Sequence, residues 1–210
     1  METNITNNNF LLKVNNLSKH KFGSNNEFLF ENISFNIKEG ELLLLRGANG
    51  SGKTTLLKIL NKIYPHTNGE IILNSKMTSI LNNTLPFSDY LDMRMNIFLM
   101  GSLLGFTNSQ INSAIDKIVN LSEIKTKNTV MNFSTGMKAR LSFSIIKYLS
   151  HDLIILDEVM ANIDQSFKKT AIESINYLIF QKNKSIVMVD HNDFISVDDF
   201  PNLKYIKLTH

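Results

Sequence analysis

Residues 47–55 constrain the fold of this chain more than any other feature. They read Gly-Ala-Asn-Gly-Ser-Gly-Lys-Thr-Thr, follow the apolar run 42–45 and precede the helical-looking segment 56–60. The stretch matches the pattern G-x-x-x-x-G-K-[ST] in the context that the pattern requires, with a buried strand before it and a helix after it. It therefore predicts a phosphate-binding loop, and a tight glycine turn of purely structural role is the alternative.

The residue types in this loop suit a nucleotide phosphate. Glycine leaves backbone N–H groups open to phosphate oxygens, and the start of the following helix adds the positive end of its dipole. We expect Lys53 to reach the β and γ phosphates and to assist catalysis, Thr54 to contact Mg²⁺, and Thr55 to hydrogen-bond phosphate oxygens. The nucleotide contacts predicted from the stretch are Gly47, Asn49, Gly50, Ser51, Gly52, Lys53, Thr54 and Thr55.

Composition argues against several other classes of protein. The 210 residues include no cysteine, so the chain offers neither a disulfide framework nor a cysteine zinc site. The formal net charge of +3 comes without a long basic run, and nucleic acid is not an expected partner. Residues 1–9 lack the pattern of a secretory signal, and no apolar run approaches the length of a membrane span. We therefore expect a soluble intracellular protein that can dock on a membrane partner.

Short apolar runs separated by turn residues predict an α/β fold. Early runs of the kind found in small antiparallel strands are 10–14, 28–30 and 33–37. Wholly apolar runs, typical of parallel strands covered on both faces, are 42–45, 153–156 and 186–189. Because helical segments alternate with the later runs, we predict a mainly parallel sheet flanked by helices, with a small N-terminal antiparallel β subdomain and a helical insertion.

We predict one domain over residues 1–210. Its catalytic core, with the antiparallel β subdomain, covers about 10–80 and 132–210, and its helical subdomain covers about 85–131. Ser109 is expected to cap the second helix of that subdomain. Some apolar residues in the first helix are expected to line a groove for a partner helix, and most of them to be core.

Polar side chains follow the later apolar runs. Asp157 and Glu158 come directly after the second wholly apolar run, and His191 comes soon after the third. Because parallel strands end at one edge of the sheet, these groups are expected to meet there. We assign Asp157 to Mg²⁺ beside Thr54, Glu158 to the attacking water as general base, and His191 to the γ-phosphate and that water. Solvated turn acids and a structural histidine are the alternatives.

From about residue 10 to about residue 195, the sequence resembles the ATP-binding subunits of ATP-binding cassette (ABC) transporters. The most specific part is Phe133-Ser134-Thr135-Gly136-Met137, which is similar to the family's signature sequence. The resemblance implies that Ser134 and Gly136 bind the γ-phosphate of ATP held by a second subunit, so that two subunits close head to tail around two nucleotides. Asp164 matches the aspartate of the family's dimer-contact loop, here residues 161–164.

The resemblance also implies ATP hydrolysis coupled to transport, with ATP and Mg²⁺ as cofactors. The implied partners are integral membrane permease subunits and a second copy of the chain or a paralogous ATPase subunit, on the cytoplasmic face of a membrane. At the place of the family's metal-contacting Gln, the nearest residues are Asn82 and Asn83, and we assign Asn82 to the metal. Phe22 is the aromatic residue expected to stack on adenine, with His20 as the alternative.

Within the family, the motif forms are most similar to subunits that export polysaccharides and teichoic acids. These forms are Ser-Thr-Gly-Met-Lys-Ala-Arg from residue 134, together with residues 94–97 and 101–105. Other readings are an ATPase subunit of a haem exporter or of a small drug or peptide exporter, and a soluble ABC-type regulatory ATPase without a permease. A P-loop nucleotide kinase is a further alternative from another class.

Overall fold

The computed structural model describes residues 10–24, 26–81, 84–125, 128–189, 200 and 203–208. Two of the predicted site residues, Asn82 and His191, and the alternative Asn83 lie outside these ranges. In chain order, the strands are β1 (Leu12–His20), β2 (Phe28–Ile37), β3 (Leu42–Gly47), β4 (Asn68–Leu73), β5 (Met77–Ile80), β6 (Leu153–Asp157), β7 (Ser185–Val189) and β8 (Leu203–Leu208). The α-helices are α1 (Lys53–Leu60), α2 (Met93–Leu103), α3 (Asn108–Ser122), α4 (Thr135–Tyr148) and α5 (Gln165–Asn176).

A five-stranded sheet in the order β5-β6-β7-β3-β8 occupies the centre of the molecule, and its recorded strand pairs are all parallel. Every residue of β6 and β7 is buried, as are the first four residues of β3. Burial on both faces explains why these strands appear in the sequence as continuous apolar runs rather than alternating ones. The prediction of a mainly parallel sheet flanked by helices is confirmed.

Successive residues of these strands belong to opposite layers of the core. Leu42 and Leu44 of β3 pack in one buried cluster with the helices α2, α3, α4 and α5. Leu43 and Leu45 pack in a second cluster with α1 and the antiparallel strands. The alternation follows from the two-residue period of a strand, which sends neighbouring side chains to opposite faces of the sheet. The strand that leads into the phosphate-binding loop is thus fixed from both sides.

The antiparallel sheet predicted near the N-terminus is also present, in the order β2-β1-β4. Val14 of β1 pairs with Phe35 of β2 on one side and with Ile71 of β4 on the other. Its buried residues join the same cluster as α1. This sheet therefore covers the helix that begins at the phosphate-binding loop.

The N-cap residue of helix α3 lies two residues before the predicted one. Thr107, not Ser109, is its N-cap residue: the Thr107 hydroxyl accepts from the Gln110 N–H at 3.4 Å, and the Gln110 side chain accepts from the Thr107 N–H at 2.9 Å. This reciprocal pair is a capping box, which needs Glu or Gln three residues after the cap. Ser109 has Asn112 at that position, so the prediction for Ser109 was wrong.

The apolar stripe of α2 is divided between the core and the surface. Ile97 and Met100 are buried, whereas Phe98 is 37% exposed and Leu103 is 69% exposed. Core packing therefore accounts for the first pair and leaves the second pair available for a partner. In the described ranges, no helix combines the length and apolar character needed to cross a membrane.

Candidate functional site

The phosphate-binding loop connects the end of β3 to the start of α1. Gly52 is the N-cap residue of α1 in a left-handed conformation, with φ 94°. Among the described residues, no side chain caps this helix end. The first N–H groups of a helix lack partners within the helix and carry the positive end of its dipole. The loop and the helix start therefore provide donors suited to phosphate oxygens.

Close packing explains two of the glycines in the loop. A Cβ atom on Gly47 would lie 2.6 Å from the Leu208 carbonyl oxygen of β8 and 2.6 Å from the Ser51 hydroxyl. A Cβ atom on Gly52 would lie 2.9 Å from the Phe30 ring of β2. All three distances are shorter than real Cβ contacts. The loop is therefore held against the parallel sheet on one side and against the antiparallel sheet on the other.

Lys53 folds back over the loop that precedes it. Its Nζ donates to the carbonyl oxygens of Gly47 at 2.7 Å and Ala48 at 2.9 Å, and the residue is only 5% exposed. Burial lowers the pKa of this ammonium group, and the carboxylates of Glu158 and Asp157 oppose that shift. A nearby negative charge stabilises the protonated form of a lysine. A cation is thus held at the loop with two acids nearby.

Thr54 and Asp157 meet beside the loop. The Thr54 hydroxyl donates to Oδ1 of Asp157 over 3.4 Å, and Asp157 is 2% exposed at the end of β6. The first turn of α1 and the end of β6 thus place a hydroxyl and a carboxylate side by side. These are hard oxygen donors of the kind that Mg²⁺ takes from P-loop proteins.

Glu158 occupies a strained backbone position directly after β6. Its φ of 54° is in the left-handed region, and it precedes a short 3₁₀ helix, Val159–Asn162. Non-glycine residues seldom adopt this backbone conformation, and those that do are concentrated at functional sites. The turn separates Glu158 from Asp157 and brings Glu158 to the wall of the cleft at the phosphate-binding loop.

That cleft has a volume of about 350 Å³ and is open to solvent on one side. Its walls are formed by Leu29, Asn49, Gly50, Gly52, Lys53, Thr54, Thr55 and Glu158. Gly47 and Ser51, also predicted as nucleotide contacts, belong to the loop but do not line the cleft. Sequence reasoning missed Leu29, because β2 reaches the cleft only through the packing of the two sheets and no motif marks it.

Phe22 lies apart from this cleft. Its ring is 65% exposed, stands edge-on to the Tyr64 ring at 5.2 Å and has the Lys19 ammonium 5.2 Å from its centre. The alternative, His20, faces the Phe28 ring at 4.4 Å. Each of the two predicted adenine contacts therefore pairs with another aromatic ring, and the assignment of Phe22 stays a prediction.

The residues of the signature sequence form a second group. Ser134 is the N-cap residue of α4, and its hydroxyl accepts from the Met137 N–H at 3.2 Å. A Cβ atom on Gly136 would lie 3.4 Å from the Asn162 carbonyl oxygen and 3.9 Å from Oδ2 of Asp164. The structure thus brings Ser134, Gly136 and Asp164 together, but none of them lines the cleft at Lys53.

Metal ligands are sparse around the cleft. Over the described ranges, no group of three or more His, Cys, Asp or Glu residues could hold a metal ion. Mg²⁺ typically binds through one or two protein oxygens together with substrate phosphates and waters. The Thr54 and Asp157 oxygens fit that mode, in which the nucleotide supplies the remaining ligands.

The fold and the cleft together define a P-loop nucleotide-binding protein of the ATP-binding cassette type. A solved ATP-binding subunit of an ABC transporter superposes with a TM-score of 0.76 at 21% identity, covering 87% of this chain and 80% of that one. A post-hydrolysis dimer of an ATP-binding cassette bound to ADP and Pi superposes with a TM-score of 0.76 at 17% identity, covering 95% of this chain and 97% of the other. At these low sequence identities, the superpositions show a shared fold and nothing more.

The sequence assigns the family. Residues 30–161 match the ABC transporter family model, and the chain belongs to that family as an ATP-binding domain. It is 32% identical over 162 residues to the O-antigen export system ATP-binding protein RfbB of Myxococcus xanthus, covering 76% of this chain and 37% of the relative. It is 33% identical over 162 residues to the teichoic acids export ATP-binding protein TagH of Listeria monocytogenes, covering 76% of this chain and 48% of the relative. For RfbB of Klebsiella pneumoniae the identity is 33%, covering 77% of this chain and 66% of the relative.

The chain thus spans between 37% and 66% of the length of these curated relatives. All three relatives carry the name of an export ATP-binding protein, for O-antigen in two cases and for teichoic acids in the third. Among ABC proteins, the similarity therefore favours the polysaccharide and teichoic acid branch over the other branches considered from the sequence.

Proposed function

We propose that this chain is the ATP-hydrolysing subunit of an exporter for a polysaccharide or a teichoic-acid-type polymer. The observation that carries the enzymatic part is the contact of 3.4 Å between Thr54 and Asp157, beside a cleft that Glu158 and Lys53 also line. The relatives named above support the choice of cargo. The reaction is ATP plus water to ADP and phosphate.

The residues at the cleft have separate chemical roles in this proposal. Lys53 places a positive charge against the β and γ phosphates, where negative charge is spread in phosphoryl transfer. Glu158 accepts the proton of the attacking water as general base. Thr54 and Asp157 would hold Mg²⁺, which neutralises phosphate charge when bound. Most of the rate enhancement then comes from positioning and from charges fixed in advance.

A second subunit would complete the site. Ser134 and Gly136 stand at the N-terminus of α4, an arrangement that favours an anion, and they lie away from the cleft of their own chain. In the proposed assembly, they approach the γ-phosphate held by the partner's phosphate-binding loop, with Asp164 at the contact between subunits. We assign His191 to the γ-phosphate and the attacking water, Asn82 to the metal and Phe22 to adenine. A monomer should then bind ATP but hydrolyse it poorly.

Transport would need membrane permease subunits, against which the exposed Phe98 and Leu103 of α2 are the proposed contacts. The proposed location is therefore the cytoplasmic face of a membrane. The cargo is expected to be recognised mainly by the permease. An exporter of haem, small drugs or peptides, or a regulatory ATPase without a permease, would share the hydrolytic site.

Hydrolysis is tested with Glu158→Gln. This variant should bind ATP with the affinity of the wild type, hydrolyse it at least tenfold more slowly and accumulate as an ATP-bound dimer, because only the general base is removed. Glu173→Gln, on the exposed face of α5, is the matched control and should hydrolyse ATP at the wild-type rate. Undiminished turnover in Glu158→Gln would remove Glu158 as the base.

Nucleotide binding is tested with Lys53→Ala. The variant should lose ATP affinity at least tenfold, since the charge that faces the phosphates is gone. Lys58→Ala, one turn further along α1, is the control, because Lys58 does not line the cleft. Equal affinities for wild type and Lys53→Ala would contradict the assignment of the loop.

Export is tested by purifying the chain from its native membranes. Recovery of a multi-span membrane protein in stoichiometric amount, with loss of surface polymer when the chain is deleted, is the expected result. Recovery of soluble partners alone would count against export and favour the regulatory ATPase.

A further inference from the structure

Arg140 of α4 makes contacts with two other parts of the chain outside the cleft, the start of α5 and the end of α3. Its guanidinium donates to Oδ2 of Asp164 through Nε at 2.7 Å and again through a terminal nitrogen, and it donates to the Ser166 hydroxyl at 2.9 Å. Another terminal nitrogen lies 3.5 Å from a Glu123 oxygen, and the guanidinium carbon lies 5.2 Å from the centre of the Phe167 ring. The Arg140 side chain is 16% exposed. It is therefore a largely buried cation that uses several of its donors at once.

The contacts of Asp164 are divided between its two oxygens. Oδ1 accepts from the Ser166 hydroxyl at 2.6 Å and from the Phe167 N–H at 3.2 Å, which makes Asp164 the N-cap residue of α5. Oδ2 is held by Arg140. The hydrogen bonds from Arg140 and Ser166 lower the pKa of Asp164 to about 2, so this carboxylate is charged at neutral pH. The start of α5 is thus tied to the side of α4.

The third element is the end of the helical insertion. Glu123 is the C-cap residue of α3, in a left-handed conformation with φ 57°. Its contact with Arg140 connects α3 to the helix whose first turn carries Ser134 and Gly136. In the same region, the carbonyl oxygen of Asn162 lies against Gly136. Arg140 therefore sits where α3, the start of α4 and the segment after Glu158 converge.

We infer that Arg140 is a positioning residue for ATP hydrolysis: by holding Asp164, it fixes the spacing between the signature residues 134–137 and the segment 158–164 that leads back to Glu158. A partner nucleotide bound at residues 134–137 would then act on Glu158 of the same chain through this rigid connection. The inference rests on the proposed function, because it needs a second copy to supply that nucleotide.

Two geometric facts separate this role from nucleotide binding. Neither Arg140 nor any of its contacts lines the cleft at Lys53. Arg140 also lies two turns along α4 from Ser134, since an α-helix has 3.6 residues per turn. Its loss should therefore change the turnover of bound ATP and leave the affinity of a single phosphate-binding loop intact.

The test compares Arg140→Met and Arg140→Lys with the wild type in steady-state ATP hydrolysis, ADP binding and thermal unfolding. We expect kcat to fall at least tenfold in Arg140→Met, with KM for ATP and Kd for ADP within about twofold of wild type. Arg140→Lys should recover only part of kcat, because an ammonium group lacks the planar fork that reaches Asp164 and Ser166 together. Unchanged kcat in folded Arg140→Met would overturn the inference, as would equal losses in kcat and ADP affinity.

Arg94→Met is the matched control. Arg94 donates to Asp116 at 2.5 Å, but that pair is exposed on the helical insertion, with the two side chains 58% and 76% accessible. The control should keep the wild-type kcat. If it lost as much activity as Arg140→Met, loss of any ion pair would explain the result and the positioning role would be wrong.

Two further variants keep the test decisive. If Arg140→Met does not fold, Glu123→Gln removes only the arm to α3 and should lower kcat two- to threefold at unchanged ADP affinity; no change would refute the connection to the insertion. Glu158→Gln tests the proposed function separately. If the wild type does not hydrolyse ATP, the proposed function fails, whereas a low rate in Glu158→Gln with full activity in Arg140→Met removes the positioning role alone.

Discussion

The Thr54 hydroxyl lies 3.4 Å from Oδ1 of Asp157 across 103 positions of sequence, even though the strands that lead to these residues are not neighbours in the sheet. β7 separates β3 from β6, so only the loop after β3 and the first turn of α1 can bring Thr54 to the end of β6. The contact therefore depends on the shape of the phosphate-binding loop.

Removing either oxygen should weaken the dependence of nucleotide binding on Mg²⁺. Thr54→Val removes a hard oxygen donor, and Asp157→Asn removes the negative charge of the other. The backbone donors of the loop remain in both variants. We expect Mg²⁺ to tighten ATP binding to the wild type, and to do so at least tenfold less in either variant. Titration of ATP with and without EDTA measures this difference, and the EDTA series serves as the internal control. An undiminished effect of Mg²⁺ in both variants would place the metal elsewhere.

Gly47→Ala should be more harmful than the replacement of another positive-φ glycine that has open space around it. Gly47 has φ 148° and no room for a Cβ, because the Leu208 carbonyl oxygen would be 2.6 Å away. Gly105, in the turn after α2, has φ 85° and nothing within 4 Å of its Cβ position. Gly105→Ala should lower the free energy of unfolding by about 1 kcal/mol from backbone strain alone.

For Gly47→Ala we expect a larger loss of stability together with a loss of ATP affinity, because β8 or the loop must shift to admit the methyl group. Chemical denaturation and ATP titration of both variants provide the measurement. Equal stabilities for the two variants would mean that β8 does not restrain the loop.

The cap of α3 gives a prediction about stability alone. Thr107→Ala removes the hydroxyl that accepts from Gln110 and should cost about 1 kcal/mol of unfolding free energy. Ser109→Ala, at an exposed position in the first turn of the same helix, should not lower this free energy, because alanine is the better helix former. Denaturation midpoints of the two variants measure the difference, and a larger loss in Ser109→Ala would restore the original prediction for the cap.

Local patterns in the sequence were sufficient for the phosphate-binding loop and for three of the five strands of the parallel sheet. The two edge strands, β5 and β8, were not predicted. The apolar runs of β3, β6 and β7 predicted strands buried on both faces, and the glycine pattern predicted the turn into α1, because each depends on neighbours within a few residues. The prediction of the α3 cap was wrong, although the capping box of Thr107 and Gln110 is visible in the sequence.

Contacts between distant parts of the chain could not be read in this way. Leu29 reaches the cleft because one sheet packs on the other, and Arg140 meets Asp164 because α4 and α5 lie side by side. The fold back of Lys53 onto Gly47 and Ala48 likewise depends on the three-dimensional path of the loop. No sequence spacing predicts these contacts, although Lys53, Arg140 and Asp164 belong to motifs, because a motif marks its own residues and not their partners in space.

His151, between α4 and β6, lies in a polar cluster at the opposite edge of the sheet from the cleft. Its Nδ1 is 2.8 Å from the Thr78 hydroxyl, which also accepts from the His151 N–H at 2.9 Å, and its ring stacks on Phe106 at 5.0 Å. Burial lowers the pKa of His151 from its usual 6.5, and the charges of Lys76 and Lys184 lower it further, while Asp152 acts in the other direction. The folded state therefore favours the neutral ring.

Stability should fall as the pH is lowered below about 6.5, since the unfolded chain then binds a proton that the folded chain resists. The loss should level off once the pH is below the depressed pKa of the folded state. His151→Asn removes the titrating ring and should flatten this part of the profile. Urea unfolding of the wild type and this variant between pH 5 and pH 8 measures the effect. If the free energy of unfolding of His151→Asn varied with pH as steeply as that of the wild type, other groups would cause the pH dependence, because the variant has no imidazole at this position.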